Sequence, residues 1–144
     1  MELSHKQLTG LEEVLVLFDL YQACMYRPDR AKYRQMAQSW LQNGSTRIFA
    51  WYSQQNPVGI LVMHLPQPHE AELLGIAVAP RARRRGVAAQ MLQAAAIALD
   101  LHTLTAETDA DAVDFYRKTG FRIIAQTKAY DSQPATRYLC TWTK

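Results

Sequence analysis

One stretch constrains this chain more than any other: an apolar run, a basic turn and a helix-forming run that together span Leu73 to Leu99. Leu73-Leu74-Gly75-Ile76-Ala77-Val78 is continuously apolar, as expected of a central strand covered on both faces. Pro80 ends a strand ladder because it has no N–H to donate. Arg81, Arg83, Arg84 and Arg85 then lead into Gly86, and Ala, Leu, Met and Gln dominate from Val87 onward. A helix beginning at Gly86 leaves its first N–H groups without acceptors in the helix. Those donors, the helix dipole and the arginines suit a phosphorylated ligand. The absent side chain at Gly86 lets such a ligand come close to the backbone.

The turn is not a P-loop, since no G-x-x-x-x-G-K-[ST] is present, and one glycine cannot make the dinucleotide fingerprint. What stands there is Arg83-x-x-Gly86-x-Ala88 behind a strand that ends in Val78-x-Pro80. This resembles the R/Q-x-x-G-x-G/A signature of the GNAT superfamily of acyl-CoA-dependent N-acyltransferases. The resemblance implies that the turn holds the pyrophosphate of acetyl-CoA, the acyl donor. The cofactor residues it implies are Arg83, Arg84, Arg85, Gly86, Val87, Ala88 and Ala89. It also implies a bulge in the preceding strand that aims one amide at the acyl carbonyl. Gly75 inside an apolar strand is a separate hint of that bulge. Gly75, Ile76, Ala77 and Val78 are the available positions, with Ile76 and Val78 preferred for the amide.

A second segment, Asp109 to Phe121, is similar to the other hallmark of the family, N-x-x-A-x-x-F-Y-x-x-x-G-F. The match runs through Ala112, Phe115, Tyr116, Gly120 and Phe121 and departs at Asp109, where Asn is more usual. An acid can still cap a helix at that place. By the resemblance, Asp109, Ala112 and Phe115 lie along the pantetheine arm. Tyr116 is the expected general acid for the departing thiolate, since a phenol of reference pKa about 10 still holds its proton at neutral pH. Glu72, at the start of the organising strand, is the expected base or water-holder. Glu70, Glu107, Asp109 and His64 stay open as alternatives. Tyr26, Arg27, Asp29 and Tyr33, with Tyr130, are expected at the mouth for the amine. Asp29 suits a cationic acceptor and Arg27 a carboxylate, so the sequence does not choose between them.

Elsewhere the periodicities give the order β-α-α-β-β-β-α-β-α-β-β. Glu2 to Leu8 reads as a short edge strand, and Thr9 with Glu12 as the capping box of a helix running on to Met25. A second helix runs from Pro28 or Asp29 to Leu41, and Asn43-Gly44 ends it. Arg47–Tyr52 and Val58–Leu65 form a hairpin, followed by a loop at Pro66-Gln67-Pro68. The organising strand and its helix come next, then a strand over His102–Glu107 and a helix over Asp111–Thr119. Two final strands, Phe121–Lys128 and Thr136–Trp142, flank a polar loop with Asp131, Ser132 and Pro134. The expected fold class is α/β (α+β): a mixed, mostly antiparallel sheet of about six or seven strands flanked by helices on both faces. The GNAT fold has this same order of elements, so the whole chain reads as one such domain.

Composition narrows the partners. Of 144 residues, 49% are hydrophobic and 20% charged, which suits one packed domain and excludes disorder. The net charge of +3 resides in the arginine turn, which favours a small polyanion over a nucleic-acid track. Cys24 and Cys140 have neither metal-ligand nor redox spacing, so no metal is expected and the thiols read as reduced. No secretory pattern follows Met1 and no apolar run is long enough to span a bilayer, so a cytoplasmic location without membrane contact is expected. The resemblance implies an acetyl-CoA-dependent N-acetyltransferase acting on a small-molecule or peptide amine, with a homodimer common among its members. The alternative on the same fold is an acyl-CoA-binding regulatory protein.

Overall fold

The computed structural model describes residues 2–130 and 133–144, with the side chain of residue 130 outside that description. Asp131 and Ser132 of the expected polar loop, and the Tyr130 side chain expected at the acceptor mouth, therefore lie outside the described residues, while Pro134, expected in that loop, belongs to the last strand and pairs with Ala129. In chain order the elements are β1 (Ser4–Gln7), α1 (Leu11–Leu15), α2 (Phe18–Tyr21), α3 (Arg30–Gln42), β2 (Thr46–Ser53), β3 (Asn56–Gln67), β4 (Glu70–Val78), α4 (Val87–Ala98), β5 (Thr103–Thr108), α5 (Val113–Lys118), β6 (Arg122–Tyr130) and β7 (Gln133–Thr143). Single turns of 3-10 helix follow α2 at Gln22–Cys24 and β4 at Pro80–Ala82.

The strands form one sheet in the order β1-β2-β3-β4-β5-β7-β6. Every neighbouring pair is antiparallel except β4 with β5, which α4 joins as a crossover. Two cores sandwich the sheet. Ile48, Ala50, Ile60, Val62 and Ala77 turn toward α1–α3, where they meet Val14, Phe18, Tyr33 and Trp40. Phe49, Trp51, Leu61, Met63 and Leu73 turn to the opposite face with α4 and α5, against Met91, Leu92, Tyr116 and Phe121. Strand alternation sends successive side chains to opposite faces, and each fully buried one, such as Ile60 or Leu61, contributes about 1.5–3 kcal/mol.

Local chemistry explains the element ends, with several differences from the sequence reading. The first helix starts one residue later than expected: Gly10 is its N-cap, and the Gly10 amide donates to Glu13 Oε1 at 3.1 Å in place of a Thr9–Glu12 box. Its expected run to Met25 is divided, because the Leu17 amide bonds back only three residues, to Val14 at 3.0 Å. Val14, Leu17, Phe18 and Tyr21 still share one buried face across the tightened turn. Pro66 and Gln67 belong to β3, and the turn there is Pro68-His69. The helix expected from Asp111 begins at Val113, after an Asx turn in which Asp109 Oδ1 accepts from the amides of Asp111 (3.0 Å) and Ala112 (3.1 Å). Between β2 and β3, Gln54 and Gln55 both take positive φ (51° and 72°), as the right-handed strand twist demands of a two-residue hairpin.

A further difference concerns β4. Its burial alternates instead of being complete, and Leu74 is 40% exposed. Val62 pairs with Gly75 and Met63 with Leu73, so Leu74 has no partner on β3 and forms a bulge. The anticipated bulge thus falls one residue before Gly75. Gly75 itself is a close-approach position, since a Cβ there would stand 2.5 Å from Tyr21 Cε2 and 2.7 Å from Cζ. Gly75→Ala is therefore expected to destabilise the fold by about 1–3 kcal/mol through overpacking, read as a lower denaturant midpoint. An unchanged midpoint would show that the Tyr21 ring is not held against β4.

Candidate active site

Strands β4 and β5 pair only at their beginnings, from Glu70 with Thr103 to Glu72 with Thr105. Beyond that point they separate, and a cleft of about 750 Å³ opens through the sheet between them. Leu73 to Val78 form one wall, and Ala106 to Asp109 with Tyr116 form the other. The cleft has two mouths. Arg83, Ala88, Ala112 and Phe115 flank the one on the α4 side, and Cys24, Met25, Tyr26 and Arg137 flank the other.

The separation leaves one edge of β4 without a partner strand. The Ala79 amide donates to Val58 O on β3 at 2.8 Å. Backbone groups alternate between the two edges of a strand, so Ile76 and Val78 direct their N–H and C=O to the open edge. Two contacts agree with this direction. Cys24 Sγ donates to Ile76 O at 3.3 Å, and Arg83 Nε donates to Val78 O at 3.0 Å. The result is two amides aimed into the cleft just past the bulge.

At the α4 mouth the turn is curled by two left-handed residues, Arg84 (φ 63°) and Gly86 (φ 73°). Curled turns of this kind gather successive amides into anion-binding concavities. Gly86 is the N-cap of α4, and no side chain caps the helix. Its first amides, those of Val87, Ala88 and Ala89, are therefore left to a ligand or water. The arginines divide into two pairs. Arg81 Nη2 braces Pro57 O at 3.0 Å and Arg83 holds the end of β4, whereas Arg84 and Arg85 make no hydrogen bond among the described residues. An open helix terminus, unengaged guanidinium groups and a slot between parted strands fit a pyrophosphate followed by an extended arm.

Tyr116 is 6% exposed and packs edge-on to Phe115 and Phe121, with centroids 5.0 and 5.2 Å away. Burial pushes its phenol well above the ordinary range, so it stays protonated. Helix α5 holds it in place. Thr119 Oγ1 donates to Phe115 O and Tyr116 O at 3.0 and 3.1 Å, and Arg117 pairs with Asp114.

Of the residues named from sequence, Ile76, Ala77, Val78, Arg83, Ala88, Asp109, Ala112, Phe115, Tyr116 and Tyr26 line the cleft together. Others lie apart from it, among them Tyr33, which is buried in the core under α1–α3 with its hydroxyl donating to Val14 O at 2.6 Å. Val87 is buried in the core, and Ala89 lines a separate groove of about 670 Å³ between α4 and β7. The Asp29 carboxylate caps α3, accepting from the Ala31 amide at 2.8 Å. The Arg27 guanidinium lies over the Tyr26 ring, 5.3 Å from its centroid. Glu72 stands in register between His64 and Thr105, outside the cleft lining. Sequence reasoning missed Cys24, Met25 and Arg137, which no motif marks and which only the packing of distant segments brings to the cleft.

The model of the acetyltransferase (GNAT) family matches residues 14–121. The chain belongs to this family. The donor of such acetyltransferases is acetyl-CoA. An acetyltransferase from Thermus thermophilus shares its fold at 22% identity, with 100% of this chain and 98% of that one covered and a TM-score of 0.80. A GNAT family acetyltransferase from Elizabethkingia anophelis with acetyl-CoA bound is 18% identical over 99% and 98% of the two chains, at a TM-score of 0.71. A chimera of spermidine N-acetyltransferase SpeG from Vibrio cholerae is 15% identical over 99% and 96%, at 0.76. No curated protein matches the sequence. No helix among the described residues is long and apolar enough to cross a membrane.

Proposed function

We propose that this acetyltransferase moves the acetyl group of acetyl-CoA directly to a primary amine of a small molecule or a peptide within a ternary complex. The parting of β4 from β5 at the Leu74 bulge, with two amides directed into the gap, carries this reading. Acetyl-CoA supplies an activated thioester carbonyl. The amides of Ile76 and Val78 are the donors that polarise a carbonyl oxygen in the cleft, and one such donor contributes about 2.7–4 kcal/mol to a developing oxyanion. Tyr116 holds its proton against the cleft wall and gives it to the departing sulfur. The curled turn, Arg84, Arg85 and the first amides of α4 bind pyrophosphate, while Asp109, Ala112 and Phe115 guide the arm.

The attacking amine must lose a proton. Glu107 is a poor recipient, since the Lys128 ammonium bonded to it, with help from Arg137, holds its carboxyl below the usual range. Asp109 is engaged by two amides of its own turn. Glu72 has no ion pair among the described residues. Its neighbours Ala71 and Leu73 face the α4 core, so it lies on the opposite face, where the acceptor enters, and it takes the proton there directly or through water.

A thiol-release assay with acetyl-CoA over amino acids, polyamines, aminoglycosides and peptide N-termini tests the function. The expected result is amine-dependent release of free thiol. Calorimetric binding of acetyl-CoA with no release on any of these amines would instead favour a regulatory acyl-CoA binder.

A further inference from the structure

We propose that the amine acceptor also carries a carboxylate, as an amino acid or short peptide does, and that the guanidinium of Arg137 receives it at the mouth of the cleft. This rests on the acetyl-transfer reading and adds the acceptor's class to it. The relevant mouth is the one away from α4. Ala106 is buried in the core that α4 and α5 cover and Thr108 is buried in step with it, so Glu107 between them points to the other face. Glu107 is opposite Leu139 on β7, and Arg137, two residues away, shares that face.

Among the described residues the cations at this place outnumber the carboxylate between them. Lys128 Nζ lies 3.0 and 2.9 Å from the two oxygens of Glu107, and Arg137 Nε lies 3.2 Å from one of them. One carboxylate thus stands between two cations. Arg137 commits only Nε to this contact. Its two terminal nitrogens make no hydrogen bond among the described residues, although the residue lines the cleft and its side chain is only 28% exposed. A planar fork with two open donors matches a carboxylate in bidentate geometry, which an ammonium does not. Arg27, outside the cleft lining, lies over the ring of Tyr26, which does line it.

A polycationic acceptor finds little here. Among the described residues the acids that line the cleft are Glu107 and Asp109, the first held between two cations and the second engaged in the turn before α5, while Glu72, outside the lining, serves as the proton acceptor. Asp29, the acid that suited a cationic amine in the sequence, is occupied as the cap of α3. The fold is shared with a spermidine N-acetyltransferase, but this mouth has the charge for a different acceptor.

The test compares matched acceptors in the thiol-release assay: free amino acids, the same amino acids as C-terminal amides, and spermidine. The parent protein is expected to prefer the acid over its amide at least about 10-fold in kcat/KM. In Arg137→Gln that preference collapses toward unity through an acceptor KM raised about 10- to 100-fold for the acid, while the KM for acetyl-CoA is retained. Arg137→Lys keeps charge without the fork and recovers only part of the preference. As a measurement that needs no variant, deaminated carboxylic acids should inhibit the parent protein competitively against the acceptor, and their amides should not. Equal use of acid and amide, a preference for spermidine, or an equal effect of Arg137→Gln on acid and amide each overturns the carboxylate assignment and leaves acetyl transfer standing. Absence of thiol release with every amine removes both.

Discussion

The Gly86→Glu protein is expected to fold and to have lost acetyl-CoA binding. Gly86 sits at φ 73° as the N-cap of α4, and a Cβ built there would meet nothing within 4 Å. A side chain therefore causes no clash, only the cost of a left-handed non-glycine residue, about 1–3 kcal/mol, or a melting point a few degrees lower. The effect on the ligand is far larger. The introduced carboxylate is drawn to the uncapped amides proposed to hold the pyrophosphate, and it repels phosphates that approach. Calorimetric affinity for acetyl-CoA should fall by about 100-fold or more. Gly86→Ala carries the same backbone strain without the charge, so its affinity should stay within a few-fold of the parent's. An affinity within a few-fold in the glutamate variant as well would sink the assignment of the phosphate site to this turn.

The Tyr116→Phe protein is expected to keep its structure and its KM for acetyl-CoA but to lose about 100-fold in kcat. The substitution removes one hydroxyl from a ring that Phe115 and Phe121 hold by packing. The pH profile adds a second check. Burial raises the phenol above its ordinary value of about 10, so the group is a proton donor throughout the neutral and mildly alkaline range. A donor with a raised pKa acts below it, and its contribution is lost only as pH rises through the folded value. The parent enzyme should therefore show no alkaline fall in kcat from this group below about pH 10. A fall centred well below that pH which Tyr116→Phe abolishes would contradict the burial argument. A kcat equal to the parent's would remove Tyr116 from the chemistry.

Much of the scaffold is written locally. The helix beginning at Gly86, the strand before it, the short helix carrying Tyr116 and the hairpin of β2 and β3 all follow from periodicity and turn chemistry, and they sit within a few residues of where the sequence places them. Local rules also indicated a bulge near Gly75, because glycine in an apolar strand signals a close approach. Which residue bulges is a matter of register against β3, and it proved to be Leu74. The apolar run from Leu73 to Val78 suggested full burial. It is instead one wall of a cleft, since apolar side chains are as useful against a ligand arm as against a core.

The sequence by itself determined the order of elements, the uncapped helix start behind four arginines, and the pairing of that turn with the Tyr116 segment one strand later. The first two depend on neighbours a few residues apart, and the third on the order of two such local motifs along the chain, so a linear reading reaches them. Only the tertiary structure decided where β4 and β5 part and which carboxylates are already engaged. It also decided that Cys24 and Arg137, 113 positions apart by their numbering (137 less 24), line one cleft. These depend on pairing register and on charges meeting across the sheet. No local pattern encodes them: Lys128 and Arg137, two partners of Glu107, lie 21 and 30 residues away.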